Sequence, residues 1–132
     1  MTSNLRIIRV RDFIEATPQG NLDYVKARQA MREASSVPGA FNKYDLLIDT
    51  RGSENNLSAA DTWQLAAELA VLVRANTEGY RAKIAVLCPD KEFDHAKFFE
   101  LCSHNRALNV RAFTSFEELF EWLSQRSQIT KV

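Results

Sequence analysis

Most of the side chains that could do chemistry fall in four short polar segments, each placed after an apolar run. The segments contain Thr17 and Gln19; Asp49, Thr50, Arg51, Gly52, Ser53 and Ser58; Asp90 and Lys91; and Thr114 and Ser115. Hydroxyls, cations and free backbone N–H groups can together receive a phosphate, a carboxylate or another anion. The same residue types also cap helices and form turns, so the pattern alone does not separate a ligand site from ordinary structure.

The most distinctive of these segments is Asp49-Thr50-Arg51-Gly52, which directly follows an apolar run. An aspartate at a strand end invites comparison with the phosphoacceptor of response-regulator receivers. Phosphoryl transfer to a carboxylate needs a metal and therefore an acidic cluster, but the first strand ends in Glu15 followed by Ala16 and Thr17. The sequence instead favours a structural pairing of Asp49 with Arg51 through charge-assisted hydrogen bonds.

Other catalytic arrangements have little support in the sequence. His95 and His104 are not accompanied by ligands at metal-site spacing, so we expect no metal. Cys102 could pair with either histidine as a nucleophile, but a cysteine inside a helix usually packs in the core. No glycine-rich phosphate loop, nucleophile elbow or dinucleotide fingerprint is present, and we predict no cofactor.

Composition narrows the classes of partner. The chain has 132 residues, 17 basic and 17 acidic side chains, and 45% hydrophobic residues. A net charge of zero provides no field to attract nucleic acid or an anionic membrane surface, so neither partner is expected. Cys88 and Cys102 fall in segments where reduced, buried thiols are common, and the polar start lacks a secretory apolar region. The sequence therefore predicts a cytoplasmic protein.

The elements that must position these residues alternate between strand and helix. The patterns predict strands at 5–17, 44–49, 82–87 and 109–113, and helices at 21–35, 58–76, 92–107 and from 116 onward. Asn21 and Asp90 are the expected N-caps of the first and third helices. The order β-α-β-α-β-α-β-α predicts an α/β fold over 1–132, a single domain with a four-stranded, mainly parallel sheet and four packed helices.

The pattern resembles that of STAS-like domains, and among them the SpoIIAA-like bacterial proteins related to anti-sigma-factor antagonists. The resemblance rests on the element order and on residues 46–52 (LLIDTRG), 82–87 (AKIAVL) and 110–123 (VRAFTSFEELFEWL). It implies a non-enzymatic regulatory module that docks a partner protein, sometimes under control of serine phosphorylation. It also allows binding of a nucleotide or of a lipid-like ligand.

One element departs from that family. Antagonists of the well-studied type carry an aspartate-serine-serine-glycine-like element at the start of the helix after the buried strand, where this chain has Asn56-Leu57-Ser58-Ala59-Ala60. Ser58 is the nearest candidate phosphoacceptor, although its position also suits a helix N-cap. Phosphate at a helix N-terminus is electrostatically tolerated, so a switch there need not unfold the helix.

Two functional hypotheses follow from these residues. The first is a module that docks a protein partner or a small anionic or lipid-like ligand at the carboxyl edge of the strands. Its candidate binding residues are Thr17, Asp49, Thr50, Arg51, Ser53, Ser58, Asp90, Lys91, Thr114 and Ser115. The alternative is a small enzyme whose active site lies at the same edge and uses Asp49, Arg51, Asp90 and Lys91. A concave pocket with convergent polar groups would favour the enzyme, whereas a flat or apolar surface would favour docking.

Self-association is a further prediction, because the helix at 58–76 has a narrow polar stripe and apolar residues over most of its circumference. We expect a homodimer formed through this helix. Light scattering at micromolar concentration should return a mass near twice 15.0 kDa. A monomer mass throughout that range would contradict the prediction.

Overall fold

Strands and helices alternate along the chain in the computed structural model, which describes residues 5–10, 13–76 and 82–125. The strands are β1 (Leu5–Val10), β2 (Phe13–Pro18), β3 (Gly20–Leu22), β4 (Asp45–Asp49), β5 (Ser53–Asn55), β6 (Lys83–Leu87) and β7 (Asn109–Phe113). The helices are α1 (Tyr24–Ser35), α2 (Ala59–Asn76), α3 (Phe93–His104) and α4 (Phe116–Ser124).

The central sheet has the strand order β1-β2-β4-β6-β7. The four strands β2, β4, β6 and β7 are parallel, which confirms the predicted α/β fold with a four-stranded parallel sheet. The prediction of one strand over 5–17 was wrong, because β1 and β2 are separate strands paired antiparallel, with Val10 opposite Phe13. The apolar alternation continues from β1 into β2, and no glycine or proline lies between the two strands, so no turn signal marked the division.

Two of the predicted helix starts also differ. Asp23, and not Asn21, is the N-cap of α1, where its Oδ1 accepts from the Lys26 backbone N–H at 2.9 Å. Asn21 belongs to β3, which pairs in parallel with β5 in a small two-stranded sheet. Asp90 opens a 3₁₀ turn, Asp90–Glu92, and α3 begins only after it.

The helices cover the two faces of the central sheet unequally. Helices α1, α2 and α3 pack on the face that carries Ile14, Leu46, Ile84 and Val110, and α4 packs on the opposite face over Ala85 and Leu87. Because α2 lies between α1 and α3, its side chains at 65, 66, 69, 70 and 73 are buried. This packing accounts for most of the wide apolar surface of α2.

Some apolar side chains of the helices remain exposed. On α2, Trp63 and Val71 are exposed, and the Arg106 guanidinium lies 4.6 Å from the Trp63 ring centre. On α3, Phe98 and Leu101 are exposed, whereas Cys102 is buried. Self-association through α2 stays a prediction, with these two α2 side chains as its candidate contacts.

A polar cluster joins α1 to α2 on the outer surface of the helical layer. The Tyr24 hydroxyl donates to Glu68 Oε2 at 2.5 Å, and Arg28 Nε donates to Glu68 Oε1 at 2.8 Å. The Tyr24 hydrogen bond, followed by the Arg28 contact, lowers the pKa of the Glu68 carboxyl below its usual value. The ionised form of Glu68 therefore stabilises the contact between the two helices.

We predict that Glu68→Gln lowers the free energy of unfolding by about 1 kcal/mol at neutral pH, because glutamine keeps the shape but removes the charge. The melting temperature should fall by roughly 4 °C. Since the folded-state pKa of Glu68 is depressed, its contribution is complete above the unfolded-state value and is lost as the pH falls through the folded-state value. The gap between wild type and variant should therefore begin to narrow as the pH falls below about 4.5 and should disappear at lower pH.

Thermal unfolding followed by circular dichroism between pH 3 and pH 7 measures this gap. Glu121→Gln is the matched control, because Glu121 is an exposed carboxylate on α4. A Glu68→Gln gap that stayed constant across the titration, or that equalled the control, would contradict the assignment.

Candidate functional site

A largely apolar cavity of about 90 Å³ lies between the central sheet and helices α1, α2 and α3. Its floor is formed at the carboxyl ends of β2, β4 and β6 by Pro18, Ile48 and Cys88. A single water molecule needs roughly 10–15 Å³ by a comparable measure, so the cavity can hold several waters or a small apolar group. Ligands of open α/β sheets bind outside this same end of the strands.

Small side chains create the space. Ala27, Ala30 and Ala34 recur on the inner face of α1, and Ala96 takes the corresponding place on α3. Each of these side chains ends at Cβ, so the helices can cover the sheet without filling the volume beneath them. As a result Ile48, on a central strand, is only half-buried, whereas Leu46 and Leu47 on the same strand are buried.

A hydrogen-bonded pair from α2 and α3 lines one side of the cavity. Thr62 Oγ1 lies 2.9 Å from His95 Nε2 and also 2.9 Å from the Ser58 carbonyl oxygen. The carbonyl can only accept, so the hydroxyl proton goes to Ser58 and His95 Nε2 must donate to Thr62. In the neutral imidazole this leaves Nδ1 as a hydrogen-bond acceptor.

A second polar pair sits where β5 meets the turn before α3. Glu92 Oε2 accepts from the Asn55 backbone N–H at 3.4 Å, and Asn55 Oδ1 accepts from the Leu57 N–H at 2.8 Å. Both Asn55 and Glu92 line the cavity and are half-buried. Together with Thr62 and His95 they place a few polar groups beside an apolar interior, the usual composition of a small-molecule site.

The Cys88 thiol on the cavity wall is not activated. Burial, and then the nearby carboxylates of Glu92 and Asp90, raise the pKa of Cys88 to about 11. Its Sγ lies 3.6 Å from the Phe113 carbonyl oxygen. At neutral pH the thiol is protonated, and a protonated thiol is a poor nucleophile.

Thr50 is the one predicted site residue that lines the described cavity. Its backbone N–H and its hydroxyl both donate to the Leu87 carbonyl oxygen, at 2.8 Å and 3.0 Å. These bonds tie the end of β4 to the end of β6, which holds the floor of the cavity in place. Thr50 is buried.

Asp49 and Arg51 form the structural pair that the sequence favoured. Asp49 Oδ1 accepts from the Arg51 backbone N–H and Nε, both at 3.0 Å, and Oδ2 accepts from the Arg51 terminal nitrogen at 2.9 Å. The Asp49 hydrogen bond raises the pKa of the Arg51 guanidinium, which is 52% exposed. Because residues alternate along β4, Asp49 faces the α4 side of the sheet and not the cavity.

The remaining predicted residues are spread along the same edge of the sheet. Ser58 and Ser115 are the N-caps of α2 and α4; their hydroxyls accept from the N–H groups of Asp61 at 3.0 Å and Glu118 at 3.3 Å. Ser53 Oγ donates to the Thr50 carbonyl, and Thr17 Oγ1 lies 3.5 Å from Glu15 Oε2. Thr114, Asp90 and Lys91 are exposed.

Both histidines considered as partners of Cys102 make a hydrogen bond elsewhere. His95 Nε2 is bonded to Thr62, and His104 Nε2 lies 2.9 Å from the Val110 carbonyl oxygen. Within residues 5–10, 13–76 and 82–125, no three His, Cys, Asp or Glu side chains are grouped so that they could hold a metal ion. In the same part of the chain, no helix combines the length and apolar character of a membrane span.

Asn55, Thr62 and Glu92 were not predicted as site residues from the sequence, and His95 was considered only for a metal site or as a partner of Cys102. The local sequence around each of these four residues is typical of a helix cap, a loop or a helix surface. The residues come together only because α2 and α3 pack side by side. The repeated alanines of α1 were a signal that could have indicated a cavity, since small residues at helical spacing leave room beneath a helix.

Comparison with known proteins identifies the fold. No protein-family model and no curated protein matches the sequence. Among solved structures, the chain is similar to an uncharacterized protein from the DUF3478 family with a SpoIIAA-like fold, from Shewanella loihica PV-4. The TM-score is 0.53 with 17% sequence identity, over 93% of this chain and 98% of that chain. This chain therefore has a SpoIIAA-like α/β fold, as its resemblance to that group predicts.

The Asp49–Arg51 pair gives a stability prediction. Arg51→Ala should lower the free energy of unfolding by about 1 kcal/mol, because the largely buried Asp49 carboxylate keeps only the backbone N–H of residue 51. The exposure of Arg51 to solvent keeps the loss this small. Urea unfolding measures it, and Lys43→Ala is the control because Lys43 is an exposed cation in a turn. Equal midpoints for the two variants would show that the pair contributes nothing.

Proposed function

We propose that this protein is a non-enzymatic regulatory module that binds a small, mainly apolar ligand in the cavity beneath α1, α2 and α3. The observation that carries the proposal is the composition of the cavity: an apolar interior at the carboxyl ends of parallel strands, bordered by a few polar groups. Pockets of this kind bury the apolar body of a ligand and orient it through a small number of hydrogen bonds.

The SpoIIAA-like fold supports a regulatory role, since the resemblance implies a module that docks a partner. Helix α2 contacts both α1 and α3, and all three helices line the cavity, so an occupant would touch three elements at once. A ligand that binds one arrangement of these helices more tightly would shift the population toward it. Exposed residues of the strand-end edge, such as Arg51 and Thr114, would then present the change to a protein partner.

The enzyme alternative receives less support from the site. Both carboxylate oxygens of Asp49 are engaged by Arg51, and neither residue lines the cavity. The Cys88 thiol is protonated at neutral pH because of its raised pKa. A binding role in the cytoplasm, as a monomer or a homodimer, is therefore the function that we propose.

We predict that n-hexanol binds the wild-type protein and shifts the backbone amide resonances of Thr50, Thr62 and Cys88 in two-dimensional NMR. Ala30→Leu should remove this binding, because a leucine at that buried position on α1 fills the cavity. The variant should still fold, since the added methyl groups enter empty space and do not displace core side chains.

Ala75→Leu is the matched control, because it makes the same change at an exposed position of α2. It should leave hexanol binding unchanged. The absence of hexanol shifts in the wild type, or equal binding by wild type and Ala30→Leu, would overturn the proposed function.

A further inference from the structure

From the charge around the cavity we infer that its ligand is a hydrophobic amine, with an apolar body in the cavity and a protonated amino group at Glu92. This inference rests on the proposed function and specifies its ligand. It replaces the anionic ligand expected from the strand-end residues with one of the opposite charge.

The lining of the cavity carries one formal charge at neutral pH among the described residues, the Glu92 carboxylate. Lysine and arginine are absent from the cavity lining that the described part of the chain forms. A ligand carboxylate or phosphate would therefore meet a like charge with no cation in the lining to compensate for it. A protonated amine would meet the opposite charge and could donate up to three hydrogen bonds.

The polar groups that border the cavity also offer hydrogen-bond acceptors, which suit a ligand that donates. Glu92 Oε2 accepts one backbone N–H, and the second carboxylate oxygen can accept further bonds. His95 donates from Nε2 to Thr62, so its Nδ1 is an acceptor in the neutral ring. An ammonium group donates only, and it complements both acceptors.

The negative potential extends into the cavity. The carboxylates of Glu92 and Asp90 both act, after burial, to raise the pKa of the Cys88 thiol on the cavity wall.

The experiment compares three probes that share one alkyl chain: n-hexylamine, n-hexanol and hexanoate. NMR titration at neutral pH gives the dissociation constant of each. We expect the amine to bind tightest, the alcohol next and the carboxylate weakest. Glu92→Gln should weaken amine binding roughly threefold to fivefold, the effect of one partly exposed ion pair, and should weaken binding of the alcohol by less than this. Glu54→Gln removes a charge from an exposed position on β5 outside the cavity lining and serves as the control.

The outcomes separate this inference from the proposed function. If hexanoate binds as tightly as the amine or more tightly, and Ala30→Leu still abolishes binding of all three probes, the cavity is a ligand site but its ligand is not an amine. If Glu92→Gln and Glu54→Gln weaken the amine equally, the charge at Glu92 does not select the ligand. If no probe binds, or Ala30→Leu binds all of them normally, the proposed function itself fails.

Discussion

The central strands β4 and β6 must be covered on both faces, and the rest of the structure depends on this constraint. Their side chains are almost all buried, including Leu46 and Ile84 toward one face and Leu47 and Leu87 toward the other. Burying one such side chain contributes about 2 kcal/mol, so an uncovered face would remove much of the stability of a chain this size. Parallel strands also require long crossover connections, and the connecting helices supply the cover.

The cavity is a local exception to this close packing. Three helices cross one face of the sheet, but α1 presents alanines toward the cavity beside Ile48, where larger side chains would close the gap. An empty space lined by apolar groups costs free energy because the lining atoms lose dispersion contacts. A chain that keeps such a space at the carboxyl ends of its parallel strands carries a cost in stability that a bound apolar ligand would offset. This balance gives the proposed binding role its physical basis.

The polar residues at the same edge divide into two groups with different tasks. Ser58 and Ser115 satisfy backbone N–H groups at helix starts, while Asp49 and Arg51 fix the turn between β4 and β5. The groups that border the cavity come from other positions, chiefly Thr62, Glu92 and His95. In the proposed function, ligand recognition therefore falls to side chains other than these caps, and the charge of Glu92 could be changed without affecting the caps at Ser58 and Ser115.

The amino-acid sequence alone was enough to predict the alternating elements, the parallel crossovers, β7 within its exact bounds and the suitability of Ser58 as a helix cap. These features depend on periodicity and on contacts within a few residues, as does the pairing of Asp49 with Arg51 two positions away. The division of 5–17 into β1 and β2 was missed because no glycine or proline separates the two strands in the sequence. The choice of Asp23 over Asn21 as the cap of α1 was missed because β3 pairs with β5, some 30 residues away in the chain.

Only the tertiary structure decided where a ligand could bind. Neighbouring residues of a strand point to opposite faces, so Thr50 lines the cavity and Asp49 does not, and the difference depends on which face receives α1, α2 and α3. Thr62 and His95 are 33 positions apart in sequence and meet because α2 and α3 pack together. A site assembled from five or more elements has no local spacing to reveal it, whereas a cap or a turn is encoded within a few residues.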